Sequence, residues 1–570
     1  MADDKQNIEE SKLMQEIQNK NILVRIQTYF RLSGPGWLQS ALSLGGGSLA
    51  SSLYLGVLAG YSMLWLQPLA MLLGIIMLSA LGYFTLASGE RPLEAINRHV
   101  NPVLGWAWAI ASLLASMIWA LPQFSLATSA VQQNLLPGLL GAAGPFEHTT
   151  SLLIISAIVL AVAITITWNY DRGAKGIRVY EWILKGMVGI IMLSFIGVVV
   201  RLTFVSGAVN WGDIGRGLIP DPSLIFQPAE GFLPLLSGLS EVSRSYWTDL
   251  IVNQQINVMA AALSSAVGIN MTFLFAYSML RRKWGPEYQG LMRFDMATGM
   301  FIPFILATGC VLIASTSQFH TVPQDGFLEK MEGNEVTLDQ TQLNQFESFL
   351  ENRVIYEYGD NLNDQQIQAY IDELTRDDYV MAATLITRDA FDLAFSLEPL
   401  LGDFFSHIVF GIGVLGMAIS SITLMMLISG LVICEVFGFP RGGWVFRIGS
   451  LAAGLGVLGP FFWQQAYFWL AIPVSVITLM LLPIAYFTFF LMINNKALMG
   501  KHLPSGSRRI LWNSLMLLSV AVIGTSSFYM LWLRGGYAGL TVLFVFLVMV
   551  AMGDWYRRKN NISRSEVENP

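Results

Sequence analysis

The sequence predicts an all-α integral membrane protein with about twelve transmembrane helices, two of them discontinuous. Three observations carry this. Of 570 residues, 54% are hydrophobic and 13% charged, with a mean hydropathy of +0.54, a balance that fits a polytopic membrane chain better than soluble domains. Apolar runs long enough to cross a bilayer recur about twelve times. Two of them, the first and the sixth, are interrupted at corresponding places.

The spans fall near 34–60, 62–87, 103–136, 151–168, 180–205, 254–281, 294–318, 402–434, 443–462, 465–493, 510–533 and 536–553. The third contains Pro122, so it is either one long kinked helix or a helix with an interfacial end. Arg and Lys crowd alternate loops: Arg91 and Arg98; Arg172, Lys175 and Arg178; Arg281, Arg282, Lys283 and Arg293; then Arg441, Arg447, Lys496, Lys501, Arg508 and Arg509. The intervening loops 137–150 and 463–464 carry none, and Arg534 is the one exception among the short outer loops. The positive-inside rule then puts both termini in the cytoplasm of a plasma or inner membrane. This gives a cytoplasmic segment 1–30, helices 1–7 over 31–318, an outer insertion at 319–400, helices 8–12 over 401–556 and a tail at 557–570.

The first twenty or so residues are polar, without the apolar core of a cleavable signal. Cys310 and Cys434 both lie in apolar segments, which excludes a disulfide framework and a cysteine metal site. The net charge of −6 says little about partners. Lipid and a transported solute or ion are expected, with no nucleic acid and no cofactor. No span carries a nucleophile–base or metal constellation, which argues against an enzyme.

The insertion stands apart, with 17 Asp or Glu against 4 Lys or Arg between 319 and 400. Its periodicity predicts short helices over Leu343–Tyr356 and Asp364–Thr375. It reads as a solvated cap or as a funnel that collects cations.

The first interruption lies in GPGWLQSALSLGGGSLASSLYLG, from Gly34 to Gly56, where Gly45, Gly46 and Gly47 are consecutive. Each interior glycine costs a helix about 1 kcal/mol, and unwound backbone in lipid needs partners that lipid lacks. The second interruption is Gly268 and Asn270 in LSSAVGINMTFLFAYSML. Five spans separate the two, the arrangement of a five-plus-five inverted repeat. There, freed carbonyls and half-helix ends of spans 1 and 6 line a midplane site. The competing reading is a pair of small-residue contacts that let helices pack closely.

The run GPGWLQSALSLGGGSLASSLYLGVLAGYSMLWL resembles the first helix of the Nramp family of divalent-metal transporters. The similarity continues in SGERPLEAINRHV, in FSLEPLLGDFFSHIVFGIGVLGMAISSIT around the eighth span and in LPIAYFTFFLMINNKALMG around the tenth. It covers most of residues 30–510 outside the insertion. The resemblance implies a LeuT-type fold working by alternating access, with metal-ion transport as the class.

The departures from the family pattern fall at the site. The DPGN tetrad of the family becomes Gly45-Gly46-Gly47-Ser48, so Gly45 stands for the metal-binding carboxylate and Ser48 for the amide. The sixth-helix pattern A-x-x-M-P-H-N becomes Val267-Gly268-Ile269-Asn270-Met271-Thr272-Phe273, with Asn270 for the thioether ligand and Thr272 for the proton-linked histidine. A register shifted by one puts Met271 in the thioether position. The acidic proton route of the third helix reads Leu121-Pro122-Gln123-Phe124-Ser125, and Ser475 falls where many members have Gln. None of the usual metal ligands is retained at its aligned position. No carboxylate lies near a predicted midplane: Glu435, Asp403, Asp295 and Glu181 fall near span ends, and the five histidines lie toward ends or loops.

A dehydrated divalent ion needs compensating charge, so these residues suggest a neutral, roomier pocket. Ser43, Ser48, Ser51, Ser52, Asn270, Thr272 and Gln123 would supply hydrogen bonds, and Trp119, Phe273 and Tyr54 aromatic walls. Such a lining suits a small polar or zwitterionic solute, or a largely hydrated cation. Ser420 and Ser421 are adjacent hydroxyls opposite the first break, a candidate Na⁺ site of hard, uncharged oxygens. A non-transporting sensor or scaffold is the reading from a different class. Lys185, inside ILKGMVGIIML, either snorkels to the nearby face or pairs with an inner carboxylate.

Overall fold

A computed structural model describes residues 2–17, 20–141, 144–170, 174–207, 209–331, 336, 338, 340–462 and 470–568. The loop 463–464 and Arg172 lie outside these. Every regular element among the described residues is helical.

Numbered from the first half-span, the helices are α1 (Pro35–Ser43), α2 (Gly46–Ala59), α3 (Leu66–Ser88), α4 (Pro102–Ser129), α5 (His148–Asn169) and α6 (Ala174–Arg201). The sixth and seventh spans hold α7 (Glu241–Ala266), α8 (Ile269–Arg281) and α9 (Ile302–Phe319). The insertion contributes α10 (Gln340–Tyr358), α11 (Arg376–Leu385) and α12 (Ala390–Leu401). The chain ends with α13 (Phe410–Val436), α14 (Gly443–Gly454), α15 (Ala471–Asn494) and α16 (Gly506–Glu568).

Among the described residues, ten helices are long and apolar enough to span a membrane, and the broken pair Pro35–Ser43 and Gly46–Met63, bent by 52°, makes an eleventh. The expected last two spans appear as one element, Gly506–Lys559, of 54 residues. A straight helix of that length would reach about 80 Å, far beyond a hydrocarbon core of about 30 Å. Gly536 resolves this with φ 49° and ψ −137°, a non-helical turn that only glycine adopts freely. The third span stays helical through Pro122 and closes on a π-helical turn, Ala130–Leu135. Its start is fixed by the Asn101 side chain, which accepts from the N–H groups of Val103 and Leu104.

Burial ranks the spans. The apolar window of the sixth is buried throughout, whereas that of α16 is only 6% buried. The broken helices therefore form the centre, with the final pair as a lipid-facing appendage. Around the centre, α2 packs on α7 and α9, and α13 packs on α1, α4, α6 and α14.

On the face that carries the N-terminus, the GPG motif explains itself by close approach. Asp295 Oδ2 accepts from Gly36 N at 2.7 Å and Gly34 N at 3.2 Å. A Cβ on Gly36 would lie 2.3 Å from the Asp295 carbonyl oxygen, and one on Gly34 would lie 2.0 Å from Arg282. Arg282 pairs with Glu181 and donates to Leu32 O. Lys185 reaches the base of α1, where its Nζ donates to Ser33 O at 3.0 Å and sits 5.9 Å from the centroid of Trp37. Four charged side chains thus clasp the base of α1.

On the opposite face the insertion is a docked cap. The predicted helices appear as α10 and as Asp364–Asp372, the latter begun by a capping box at Asn363. Arg353 of α10 is 2% exposed and donates to Ser243 Oγ of α7, while Asp378 of α11 accepts from Trp247 Nε1 at 2.8 Å. Arg353 and Asp378 also face each other at 3.6 Å.

Candidate site at the meeting of two helix breaks

The first break is short. Leu44 and Gly45 are non-helical, α1 ending at Ser43 and α2 beginning at Gly46. Freed groups there are taken up by neighbouring protein. Ser48 Oγ donates to Gly45 O at 2.9 Å and also to Ser43 O. Gly46 N donates to Gln123 Oε1 at 3.0 Å. The second break is Val267 and Gly268, both extended, between α7 and α8. Ser43 joins the two, its hydroxyl donating to Ala266 O at 2.8 Å and lying 3.8 Å from Met271 Sδ. The carbonyl ends of α1 and α7 therefore meet, each carrying the negative end of a helix dipole.

Between the breaks lies a cavity lined by Leu42, Ser43, Gly45, Gly47, Ser48, Trp119, Gln123, Ser264, Ser265, Gly268, Asn270, Met271 and Met425. No carboxylate is among these residues. The cavity leaves about 30 Å³ for water centres, room for one or two waters or a single ion. It is smaller than three glycines in a row suggest, because their space is filled from α4. A Cβ on Gly47 would sit 2.1 Å from the Trp119 ring, and one on Gly46 would sit 2.9 Å from Leu126 and 3.2 Å from Gln123. The glycines admit a tryptophan and a glutamine to the backbone rather than leaving a void.

Of the residues singled out from sequence, Gly45, Gly47, Ser48, Asn270 and Met271 line this cavity. Asn270 leans toward α4, its Nδ2 donating to Ser116 Oγ at 3.3 Å. Met271 turns its sulfur to the break, accepting from Gly268 N at 3.1 Å. The shifted register is thus the one that brings a thioether to the junction. Thr272 points away, accepting from Trp108 Nε1 at 2.7 Å. Val267 contributes backbone at the break, its side chain packing on Gly74. Ser475 is buried one turn from Thr478, donates to Ala471 O and does not line the cavity; Thr478 accepts from Trp119 Nε1. Trp119 is a wall, whereas Phe273 stacks on Tyr277 and Tyr54 does not reach the cavity.

Ser420 donates to Ala41 O at 3.0 Å, tying α13 to α1. Ser421 Oγ is fully buried, has no hydrogen-bond partner among the described residues and lies where a Cβ on Gly45 would come within 2.5 Å of it. Sequence reasoning missed Ser264, Ser265 and Met425. Met425 follows Ser421 by one helical turn, so the i, i+4 rule applied to that serine would have found it. Elsewhere, Glu398, Asp403 and His407 are the one group among the described residues with ligand atoms within 4.8 Å of one another. Asp403 is mostly exposed, and His407 Nε2 lies 3.2 Å from Glu398 Oε2.

Residues 36–352 and 379–533 match the family described as natural resistance-associated macrophage protein-like. The chain belongs to the Nramp family. A relative, the divalent metal cation transporter MntH of Brucella suis biovar 1 (strain 1330), is 24% identical over 196 residues. That match covers 34% of this chain and 38% of the relative, well under two thirds of its length. A mutant of the Eremococcus coleocola manganese transporter superimposes with a TM-score of 0.61 at 15% identity, covering 94% of this chain and 96% of that one. The same transporter in complex with an aromatic bis-isothiourea substituted compound gives a TM-score of 0.59 at 14% identity over 93% and 94%. This Nramp chain therefore has the LeuT-type fold of those transporters and is a multi-pass membrane protein.

Proposed function

We propose that this Nramp protein is a secondary transporter that works by alternating access around the breaks of its first and sixth spans, with a metal ion as cargo. The observation that carries the reading is the meeting of both breaks at one buried, ion-sized cavity. Unwound backbone inside a bilayer is tolerated where it lines a site, and a static scaffold gains nothing from it. Family membership supports divalent-metal transport as the class. The usual carboxylate and histidine are replaced, so charge compensation and proton coupling must differ from the family pattern. The volume argues against an organic solute, whose pockets run to a few hundred Å³. Both termini are assigned to the cytoplasm, with the 319–400 insertion outside.

The test is uptake by purified protein in liposomes, with Mn²⁺, Mg²⁺ and an amino acid as cargo, with and without pH and Na⁺ gradients. Saturable metal uptake that falls when Ser48 and Met271 are both replaced by alanine is expected. Uptake of the amino acid alone would favour the solute reading, and no flux of any cargo would favour a sensor. Mn²⁺ uptake unchanged in the double variant would remove the site from this cavity.

A second reading concerns coupling. The unpartnered Ser421 hydroxyl against Gly45, beside Ser420 on Ala41 O, supports Na⁺ as the driving ion. Transport indifferent to Na⁺ would remove it.

A further inference from the structure

We propose that the ion accepted at the break is soft and monovalent, of the copper(I) type, rather than the divalent ion of the family class. This rests on the metal-ion reading above and narrows it. The first observation is a pair of methionines: Met271 from the second break and Met425 from α13 line the same cavity. Met271 Sδ already serves as an acceptor there, taking the Gly268 N–H at 3.1 Å and facing the Ser43 hydroxyl at 3.8 Å. That hydroxyl has Ala266 O at 2.8 Å as its other acceptor, so a cation can take its place at the sulfur without stranding it. Thioethers select soft ions such as copper(I) over hard oxygen-seeking ones.

The second observation is charge. The lining residues include serines, two amide residues, a tryptophan and two methionines, with no carboxylate. The positive N-termini of α2 and α8 largely offset the negative C-termini of α1 and α7 that meet them there. The cost of stripping water from an ion rises with the square of its charge, so a divalent ion faces roughly a fourfold larger penalty than a monovalent ion of equal size. A nearly neutral cavity answers the smaller penalty only. Its size agrees, since about 30 Å³ holds a bare ion and not a hydrated divalent one.

The experiment uses full-length protein in liposomes, with silver(I) as a probe that needs no reductant and copper(I) kept reduced by ascorbate. Silver(I) uptake at least tenfold faster than Mn²⁺ uptake at equal concentration is expected. Met271→Leu and Met425→Leu keep side-chain volume and are each expected to cut silver(I) uptake at least tenfold. Mn²⁺ uptake without silver(I) uptake would overturn the proposal and leave metal transport standing, whereas uptake of neither would remove both. Silver(I) uptake unchanged in the double leucine variant would also overturn it. X-ray absorption on silver-loaded wild-type protein covers the case of variants that do not fold: sulfur neighbours are expected, and a shell of oxygen and nitrogen alone would refute the assignment.

Discussion

Gln123 and Gly46 are joined across the first break by a single hydrogen bond, Oε1 accepting the backbone N–H at 3.0 Å with both residues buried. The glutamine stands in for the helical partner that unwinding took from this N–H. Gln123→Ala strands a buried donor, a loss of about 1–3 kcal/mol, and a lower melting temperature in detergent is expected. Gln123→Glu keeps the acceptor and adds the missing negative charge. It is expected to leave the fold intact and to raise Mn²⁺ uptake relative to silver(I); an unchanged ratio would count against charge as the discriminator.

Gly47 is where the break is most tightly packed. Because an added Cβ would fall 2.1 Å from the Trp119 ring, Gly47→Ala forces the indole to move, at about 1–3 kcal/mol. Thermal melting measures the loss, and adding Trp119→Phe is expected to recover part of it. A Gly47→Ala protein as stable as the parent would mean the tryptophan does not rest on this glycine.

Asp295 holds the base of α1 through two backbone N–H groups. Charge-assisted bonds of this kind contribute about 1.5–3 kcal/mol each, and Asp295→Asn turns part of the acceptor into a donor. The expected outcome is a looser α1 base, read as faster thiol labelling of a cysteine placed at Leu42 from the N-terminal face. Equal labelling rates in both backgrounds would show that the clasp does not limit opening there.

His320, just past the end of α9, gives a pH dependence of stability. Burial pushes its imidazole below the ordinary 6.5, and the smaller effect of its hydrogen bond with Val57 O opposes this. The folded protein therefore binds fewer protons than the unfolded chain between the depressed value and 6.5. Stability is full above that window and falls as pH drops through it. A melting temperature lower at pH 5.5 than at pH 7.5 is expected, with the difference reduced in His320→Gln.

The breaks at Gly45 and Gly268 were legible in the sequence because glycines inside an apolar run weaken a membrane helix and persist where an unwound backbone has a use. The family framework came from the resemblance of the runs around the first, eighth and tenth spans. The register at Asn270 and Met271 was not legible. Successive residues at a helix start point about 100° apart, and only contacts with α1 and α4 decide which one faces the junction. Pocket volume was also hidden. Three missing side chains read as space until Trp119 and Gln123, distant in sequence, are brought in to fill it. For Lys185 the sequence shows how near the charge is to a span end, while its partner, Ser33 O, comes from a distant stretch of chain.

The cap that covers the opposite face is bolted to α7 by Arg353, Ser243, Asp378 and Trp247. In the proposed transport cycle, any tilt of that helix would drag the attached α10 and α11 with it. The insertion is thus a handle as much as a cover. An antibody fragment or a tether that grips α10 would apply a brake to the sixth span without touching the membrane or the ion.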